Sequence, residues 1–205
     1  MGTNFFPTKK RQWPGFCERR HKTVNGEDVD YYYRMTACNL LNTQIDLPLD
    51  AEPIQPGENE VASARRMIER LCNHYPRLFD VIVADALYMK GPFVNFCVEQ
   101  GKDVVIVLKN NYPSLIEDAQ GLFSQMEPDI WYINGKAIQV WDADDFTADT
   151  INAPLRVLHA VETYTEKVKK DGRITEREVT KNWWWATTIP KSRLSTKGAW
   201  KLGHS

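Results

Sequence analysis

Asp85 and Lys109 follow two short apolar segments of the sequence, and their charged side chains suit the binding of a metal ion or a phosphate. The segments, residues 79–84 and 104–108, are rich in β-branched residues, a pattern typical of strands buried on both faces. Asp85 ends the first segment, and Lys109 and Asn110 follow the second. A carboxylate can hold a hard cation such as Mg²⁺, and a lysine can contact a phosphate as a point charge.

A helix is predicted between these two strands. Gly91-Pro92 restarts the chain after Asp85, because proline suits a first helical position, and Gly101 can close the helix. A connection of this kind makes the two strands parallel with a right-handed crossover, so both end at the same edge of the sheet. Open α/β sheets usually keep their sites at that edge. The sequence therefore predicts that Asp85 and Lys109 lie near each other.

The composition indicates a globular protein. The 205 residues allow one core, or a core with a sizeable insertion, and 42% of them are hydrophobic and 26% charged. No apolar run is long enough to cross a bilayer, and the N-terminus lacks a signal-peptide core, so we expect a cytoplasmic protein with no membrane partner. The four cysteines are dispersed, which favours buried thiols over a disulfide framework.

Charge is distributed unevenly along the sequence, although the net charge is only −1. Basic residues lead in the N-terminal region and again beyond residue 165, whereas the charged residues of the segment 142–149 are all acidic. Basic ends around an acidic middle can hold a polyanion near metal-binding carboxylates. A set of solvated surface charges explains the same pattern, and from charge alone this second interpretation is favoured.

The remaining elements are predicted from periodicity and turn residues. Asn134-Gly135 is typical of a tight turn between two strands. Asn59 and Ser114 are predicted to cap the helices that follow them, because their side chains can accept a backbone N–H. Periodicity predicts strands over residues 29–41, 45–49, 130–133, 136–141, 155–164 and 178–189, and helices over residues 61–72 and 115–126.

Together these elements predict an α/β fold with a mixed sheet and flanking helices. The first two predicted strands form an antiparallel hairpin with a turn at Asn42-Thr43, and the next two strands are parallel. Residues 128–190 are predicted to form an antiparallel β-rich insertion. It would separate a core at residues 1–127 from a last segment at residues 191–205.

Five motifs in this order resemble those of the DDE transposases of bacterial insertion sequences, in particular the IS4-like group. They are YYYRMTACNLL at 31–41, GENE at 57–60, FDVIVADALY at 79–88, VVIVLKNN at 104–111 and WWWATTIP at 183–190. The resemblance covers nearly the whole chain. Each motif alone is weakly specific, whereas the ordered set is fairly specific.

The resemblance implies an RNase H-like fold in which three acidic residues bind two divalent metal ions and cut or join DNA strands at transposon ends. Two Mg²⁺ or Mn²⁺ ions about 4 Å apart activate the attacking water or 3′-hydroxyl and stabilise the leaving oxygen. Asp85 matches the second acidic residue, so the resemblance implies that it is a catalytic metal ligand. By its position alone, an aspartate at the end of a strand is more often a turn or capping residue.

Two departures from the family pattern predict that the chain is inactive by itself. The first aspartate is expected on a strand ahead of the hairpin, where this sequence has Met1-Gly2-Thr3. The third acidic residue belongs to a helix expected after Ser205, and Glu162 lies in a predicted strand, so it is no substitute. One carboxylate cannot hold a pair of metal ions. We therefore expect a transposase fragment truncated at both ends.

Three residues are candidate DNA contacts. Lys109 and Asn110 lie at the predicted active edge, where an ordinary solvent-exposed lysine is an equally good explanation. Trp184 is the middle of three tryptophans that can stack on an unpaired base. Strand side chains alternate between faces, so core packing is favoured for this group. The alternative functions are a non-catalytic DNA-binding or inhibitory module and an α/β enzyme that uses Asp85 with unrelated partners.

Overall fold

The computed structural model describes residues 3–11, 13–24, 26–41, 45, 47–109, 111–170 and 173–205, with the backbone alone described at 3–6, 169–170 and 173–174. Within those residues the chain is of the α/β class, as predicted, with four α-helices and ten strands in two sheets. The chain divides into two compact units, Met1–Phe79 and Asp80–Ser205. None of the described helices has the length and apolar character that a membrane span requires.

The first unit is a four-stranded antiparallel sheet with one helix. Its elements are β1 (Thr3–Thr8), β2 (Cys17–Thr23), β3 (Gly26–Leu40), β4 (Leu47–Pro53) and α1 (Glu60–His74). The long strand β3 pairs with the other three. The predicted hairpin of β3 and β4 is confirmed, while its turn at Asn42-Thr43 lies outside the described residues. Strands β1 and β2 come from the first 28 residues, where the sequence suggests a strand only at Phe5-Phe6 and assigns no other element.

Helix α1 begins at the predicted cap. Asn59 accepts a hydrogen bond from the backbone N of Ala62 at 2.9 Å. On one flank of the helix, Arg66 and Arg70 reach the acidic side chains of β4, with Nε of Arg66 at 2.9 Å and Nη1 of Arg70 at 2.7 Å from the Glu52 carboxylate. The apolar side packs on the sheet through Ala64, Met67, Ile68, Leu71 and Cys72.

The second unit is a six-stranded mixed sheet with three α-helices. Its elements are β5 (Val81–Ala84), a short 3₁₀ helix (Ala86–Tyr88), α2 (Gly91–Glu99), β6 (Asp103–Val107), α3 (Pro113–Phe123), β7 (Asp129–Ile133), β8 (Lys136–Ala148), β9 (Ile151–Lys170), β10 (Arg173–Thr187) and α4 (Thr196–Gly203). The strand order is β5-β6-β10-β9-β8-β7, in which β5 and β6 are parallel and all other pairs are antiparallel. The sheet thus runs across the predicted boundary at residue 128.

The β5–α2–β6 unit has the predicted form. Its parallel register runs from Val81↔Asp103 to Ala84↔Ile106. Helix α2 begins at Gly91, with a proline in its first turn. The core of the unit joins β6, the antiparallel strands and α4 through Val105, Ile138, Val140, Leu158, Ala160, Trp185, Ile189, Ala199 and Trp200.

Three sequence predictions need correction at the ends of elements. Ser114 is not a cap, because α3 already begins at Pro113 and has no side-chain cap. The strand predicted at 155–164 is part of the longer β9, and the strand predicted at 178–189 belongs to β10, which begins earlier and already ends at Thr187. The residues 171–172 between β9 and β10 lie outside the described residues. Helix α4, capped by Ser195, is an element that the sequence analysis missed.

Candidate functional site

Asp85 lies directly after β5 and caps the 3₁₀ helix. Its Oδ1 accepts a hydrogen bond from the backbone N of Leu87 at 2.9 Å, and its carbonyl accepts from the N of Tyr88 at 3.1 Å. The capping role expected from its position is therefore confirmed. The side chain is half-buried, and Oδ2 has no hydrogen-bond partner among the described residues. The carboxylate can thus offer one oxygen to a cation while the other keeps the cap.

Asn111 connects the loop after β6 to the loop after β5. Its Nδ2 donates to the carbonyls of Ala86 at 2.9 Å and Met89 at 3.3 Å, and its Oδ1 accepts from the backbone N of Lys109 at 3.0 Å. Both loops follow parallel strands at the same edge of the sheet, as predicted. Asn111 was not among the predicted site residues. The available signal was an amide side chain, which both donates and accepts, in the loop that follows a strand.

Lys109 and Asn110 are the two predicted phosphate contacts at this edge. The side chain of Lys109 is exposed. Asn110 lies outside the described residues. The edge therefore presents one carboxylate and one accessible ammonium group on neighbouring loops.

Metal ligands do not converge anywhere in the described ranges. No group of three or more His, Cys, Asp or Glu side chains that could hold a metal ion occurs among those residues. The Cys17 and His21 pair, whose spacing is compatible with a metal site, is engaged elsewhere, since Cys17 donates to the carbonyl of Ile54 and His21 contacts Asp30 at 3.0 Å. A single carboxylate such as that of Asp85 supplies fewer oxygen ligands than a hard cation requires from a protein site.

Glu162 belongs to a buried polar cluster. It lies in β9, as predicted, and is 3% exposed. Its Oε1 accepts from Nε1 of Trp200 at 3.1 Å and lies 2.6 Å from Nε2 of His204, while its Oε2 is 3.7 Å from Nζ of Lys136. Burial lowers the pKa of His204, although the Glu162 carboxylate opposes this shift. These contacts hold α4 against the sheet, so Glu162 has a structural role.

The three consecutive tryptophans of β10 point alternately to the two faces of the sheet, as predicted. Trp183 and Trp185 stack with their ring centroids 6.0 Å apart, and Trp185 is 1% exposed. Trp184, on the other face, stacks on His159 at 4.0 Å and on Phe123 at 6.1 Å. Since its indole already has two ring partners, the geometry favours packing over base stacking for Trp184.

Local ion pairs neutralise part of the basic N-terminal region. Lys9 contacts Asp28 at 2.5 Å and Asp30 at 2.7 Å, and Arg20 contacts Glu27 at 3.4 Å. These side chains lie on adjacent parts of the first sheet and are partly exposed. The pairing favours the interpretation of solvated surface charges over a phosphate-binding surface in this region.

In comparisons with known proteins, the sequence matches no family model and no curated protein. The chemical interpretation therefore rests on the geometry at the end of β5 and β6. A carboxylate there can ligate one hard cation together with water. Cleavage of a phosphodiester by two ions requires additional acidic ligands.

Proposed function

We propose that this chain is part of the catalytic domain of a DDE-type DNA transposase, with an RNase H-like fold in which Asp85 is one of the metal-binding carboxylates. The observation that carries the proposal is the position of Asp85 directly after β5, beside the parallel strand β6. The order of the elements supports it further. The hairpin of β3 and β4, the helix α1 and the β5–α2–β6 unit follow one another in the order that the resemblance implies.

Each residue of the edge has a defined part in the proposed reaction. Asp85 contributes one oxygen to a cation, and its bond from Leu87 N fixes the orientation of the carboxylate. Lys109 balances the charge of the phosphate, and Asn111 holds its loop against the loop of Asp85. Mg²⁺ or Mn²⁺, when bound, activates the attacking water or 3′-hydroxyl and stabilises the leaving oxygen. Because one carboxylate cannot hold two ions, the isolated chain is expected to leave DNA uncut.

A titration with Mn²⁺ tests the role of Asp85. In the ¹⁵N-labelled protein, the amide signals of residues 85–87 and of Lys109 are expected to broaden at lower Mn²⁺ concentrations than those around other exposed carboxylates. Asp85→Asn is expected to abolish this broadening. The matched control is Asp118→Asn on the exposed side of α3, which removes the same charge and is expected to leave it unchanged. Broadening that survives Asp85→Asn would refute the proposed metal ligand.

A plasmid assay tests the expected inactivity. The purified chain with Mg²⁺ or Mn²⁺ is expected to leave supercoiled plasmid intact, at the level of a buffer control. If the plasmid is nicked, and Asp85→Ala removes the nicking, then other side chains complete the metal site and the isolated chain is an active nuclease. That result would contradict the inactivity expected from a single carboxylate.

A further inference from the structure

Strand β7 is an edge strand of the six-stranded sheet, since among the described strands it pairs with β8 alone. Its sequence, DIWYI, contains no lysine or proline, and its register with β8 has no bulge. Natural edge strands commonly carry such features, which prevent pairing with another chain. In β7, by contrast, the side chains of Ile130 and Tyr132 are 55% and 79% exposed. The edge of β7 is therefore open to a further strand.

The turn between β7 and β8 determines which backbone groups face this open edge. In a two-residue hairpin, the residues that flank the turn exchange both hydrogen bonds, and bonded and non-bonded pairs alternate from there. Ile133 and Lys136 flank the turn, so every second residue of β7, counted back from Ile133, is bonded to β8. The N–H and C=O groups of Ile130 and Tyr132 point away from β8 and have no backbone partner among the described residues.

We propose that two copies of this chain associate by antiparallel pairing of their β7 strands, about a two-fold axis beside Trp131. In this register Ile130 of each copy lies opposite Tyr132 of the other, so the outward N–H and C=O groups of both residues are all bonded across the interface. Pairing Ile130 with Ile130, or Tyr132 with Tyr132, leaves half of these groups opposite residues outside β7. The two six-stranded sheets thereby become one continuous sheet.

The side chains of β7 favour a second copy as its partner. Cross-strand partners share a face, so each exposed isoleucine lies beside an exposed tyrosine, and aromatic–β-branched pairs stabilise antiparallel sheets. Asp129, the charged residue of β7, lies opposite Ile133 of the other copy, so no like charges of the two strands face each other. A foreign strand would need both the same phase of bonding groups and a matching apolar pair. A second copy supplies both by symmetry.

The length of β7 determines how strong this association is. An edge of five residues per copy belongs to the class of small, transient interfaces that bury less than about 1,200 Å². The expected dissociation constant therefore lies between about 10 µM and about 1 mM. The contact involves neither Asp85 nor Lys109, so it does not depend on the proposed function.

Sedimentation velocity of the full chain, from about 10 µM to about 1 mM, tests the pairing. Tyr132→Pro removes one outward N–H and keeps the bonds to β8, and Ile130→Lys with Tyr132→Lys places like charges across the two-fold axis. Both variants are expected to weaken association at least about tenfold. Val98→Lys replaces an apolar side chain of α2 that is 39% exposed, and this control is expected to change association by less than about twofold.

Two further measurements test the register. Hydrogen exchange at the amides of Ile130 and Tyr132 is expected to slow as the protein concentration rises, whereas the Trp131 amide, already bonded to β8, is expected to keep its rate. Mixing the double lysine variant with the matching double variant, Ile130→Glu with Tyr132→Glu, is expected to restore association, because each lysine then faces a glutamate.

Three outcomes would overturn the proposal. They are a chain that stays monomeric up to about 1 mM, which would assign the edge to a different partner, an equal loss of association in Val98→Lys, and association without slower exchange at Ile130 and Tyr132. Circular dichroism identifies any variant that fails to fold. The double lysine variant keeps the backbone of β7 free of proline, so the test does not depend on the folding of Tyr132→Pro.

Discussion

Arg156 and Asp142 form a two-point ion pair inside the second unit, with Nε–Oδ1 at 2.7 Å and Nη2–Oδ2 at 2.6 Å. The two side chains are 1% and 2% exposed. Nη1 of Arg156 also donates to the carbonyls of Leu194 at 2.7 Å and Ile189 at 3.4 Å. The pair therefore joins β8 and β9 to the segment that leads from β10 into α4.

Removal of one partner is expected to destabilise the protein strongly. Asp142→Ala leaves the buried guanidinium without its counter-ion, which costs about 3–5 kcal/mol in the free energy of unfolding. Urea denaturation measures this cost. Asp149→Ala, at an exposed carboxylate, is the control and is expected to change the free energy by less than about 0.5 kcal/mol. A similar small change for Asp142→Ala would contradict the anchoring role of the pair.

Two glycine substitutions are expected to have opposite effects. A Cβ at Gly91 would overlap Oγ1 and the carbonyl oxygen of Thr150, and the carbonyl belongs to backbone that cannot rotate away. Gly91→Ala is therefore expected to destabilise the protein by about 1–3 kcal/mol. A Cβ at Gly121 in α3 meets nothing within 4 Å, so Gly121→Ala is expected to stabilise by about 0.5–1 kcal/mol. Urea denaturation of both variants checks the prediction, and effects of the same sign would contradict it.

The stability is expected to depend on pH through His159. This ring lies between Trp141 at 5.3 Å and Trp184 at 4.0 Å, and burial lowers its pKa. The pKa of His159 in the folded protein therefore lies below the unfolded value of about 6.5. Neutral His159 contributes fully to the free energy of unfolding above about pH 6.5, and this contribution is lost as the pH falls through the folded pKa. The thermal midpoint is therefore expected to be lower at pH 5 than at pH 7.5.

A variant that keeps the ring stack separates this effect from other titrations. His159→Phe retains a flat ring between the two indoles and removes the titrating group, so the difference in thermal midpoint between the two pH values is expected to shrink. His74→Gln, at an exposed histidine of α1, is expected to keep the full difference. An unchanged pH dependence in His159→Phe would show that another group is responsible.

Asn111 is expected to control the opening of the loop that carries Lys109. Asn111→Ala removes the acceptor of the Lys109 amide and the two bonds to the loop after β5. Hydrogen exchange at the Lys109 amide is expected to become at least tenfold faster, since the three lost hydrogen bonds are worth about 1 kcal/mol each and about 1.4 kcal/mol corresponds to a factor of ten. Asn152→Ala, at an exposed position of β9, is expected to leave this amide unchanged. Equal exchange in both variants would contradict the linking role.

The central elements were predictable because their signals are local. Within 30 residues of sequence, β5, α2 and β6 are specified by an apolar run, an aspartate, the Gly91-Pro92 step and a second apolar run. The Asn134-Gly135 turn was equally clear, and both residues have positive φ, 49° and 74°, as the tight hairpin turn requires. The position of Asp85 at the sheet edge followed from these elements alone.

The elements that sequence reasoning missed depend on distant partners. Helix α4 has eight residues and is held by Glu162 and Trp185 of β9 and β10, so its own sequence carries only a weak signal. Asn111 reaches carbonyls 22 and 25 residues earlier in the chain, which no local pattern specifies. The stack of His159 and Trp184 likewise depends on the strand register.

Strand β10 is synthesised after the other nine described strands, yet it lies between β6 and β9 in the sheet. On the ribosome, the parallel pair of β5 and β6 therefore forms with one edge of β6 uncovered until β10 emerges, while β7, β8 and β9 can already assemble as a meander. The uncovered edge includes Val105 and Ile106, which are fully buried once β10 is in place. The nascent chain thus displays an apolar strand edge until β10 is synthesised, the kind of surface that chaperones bind and that promotes aggregation.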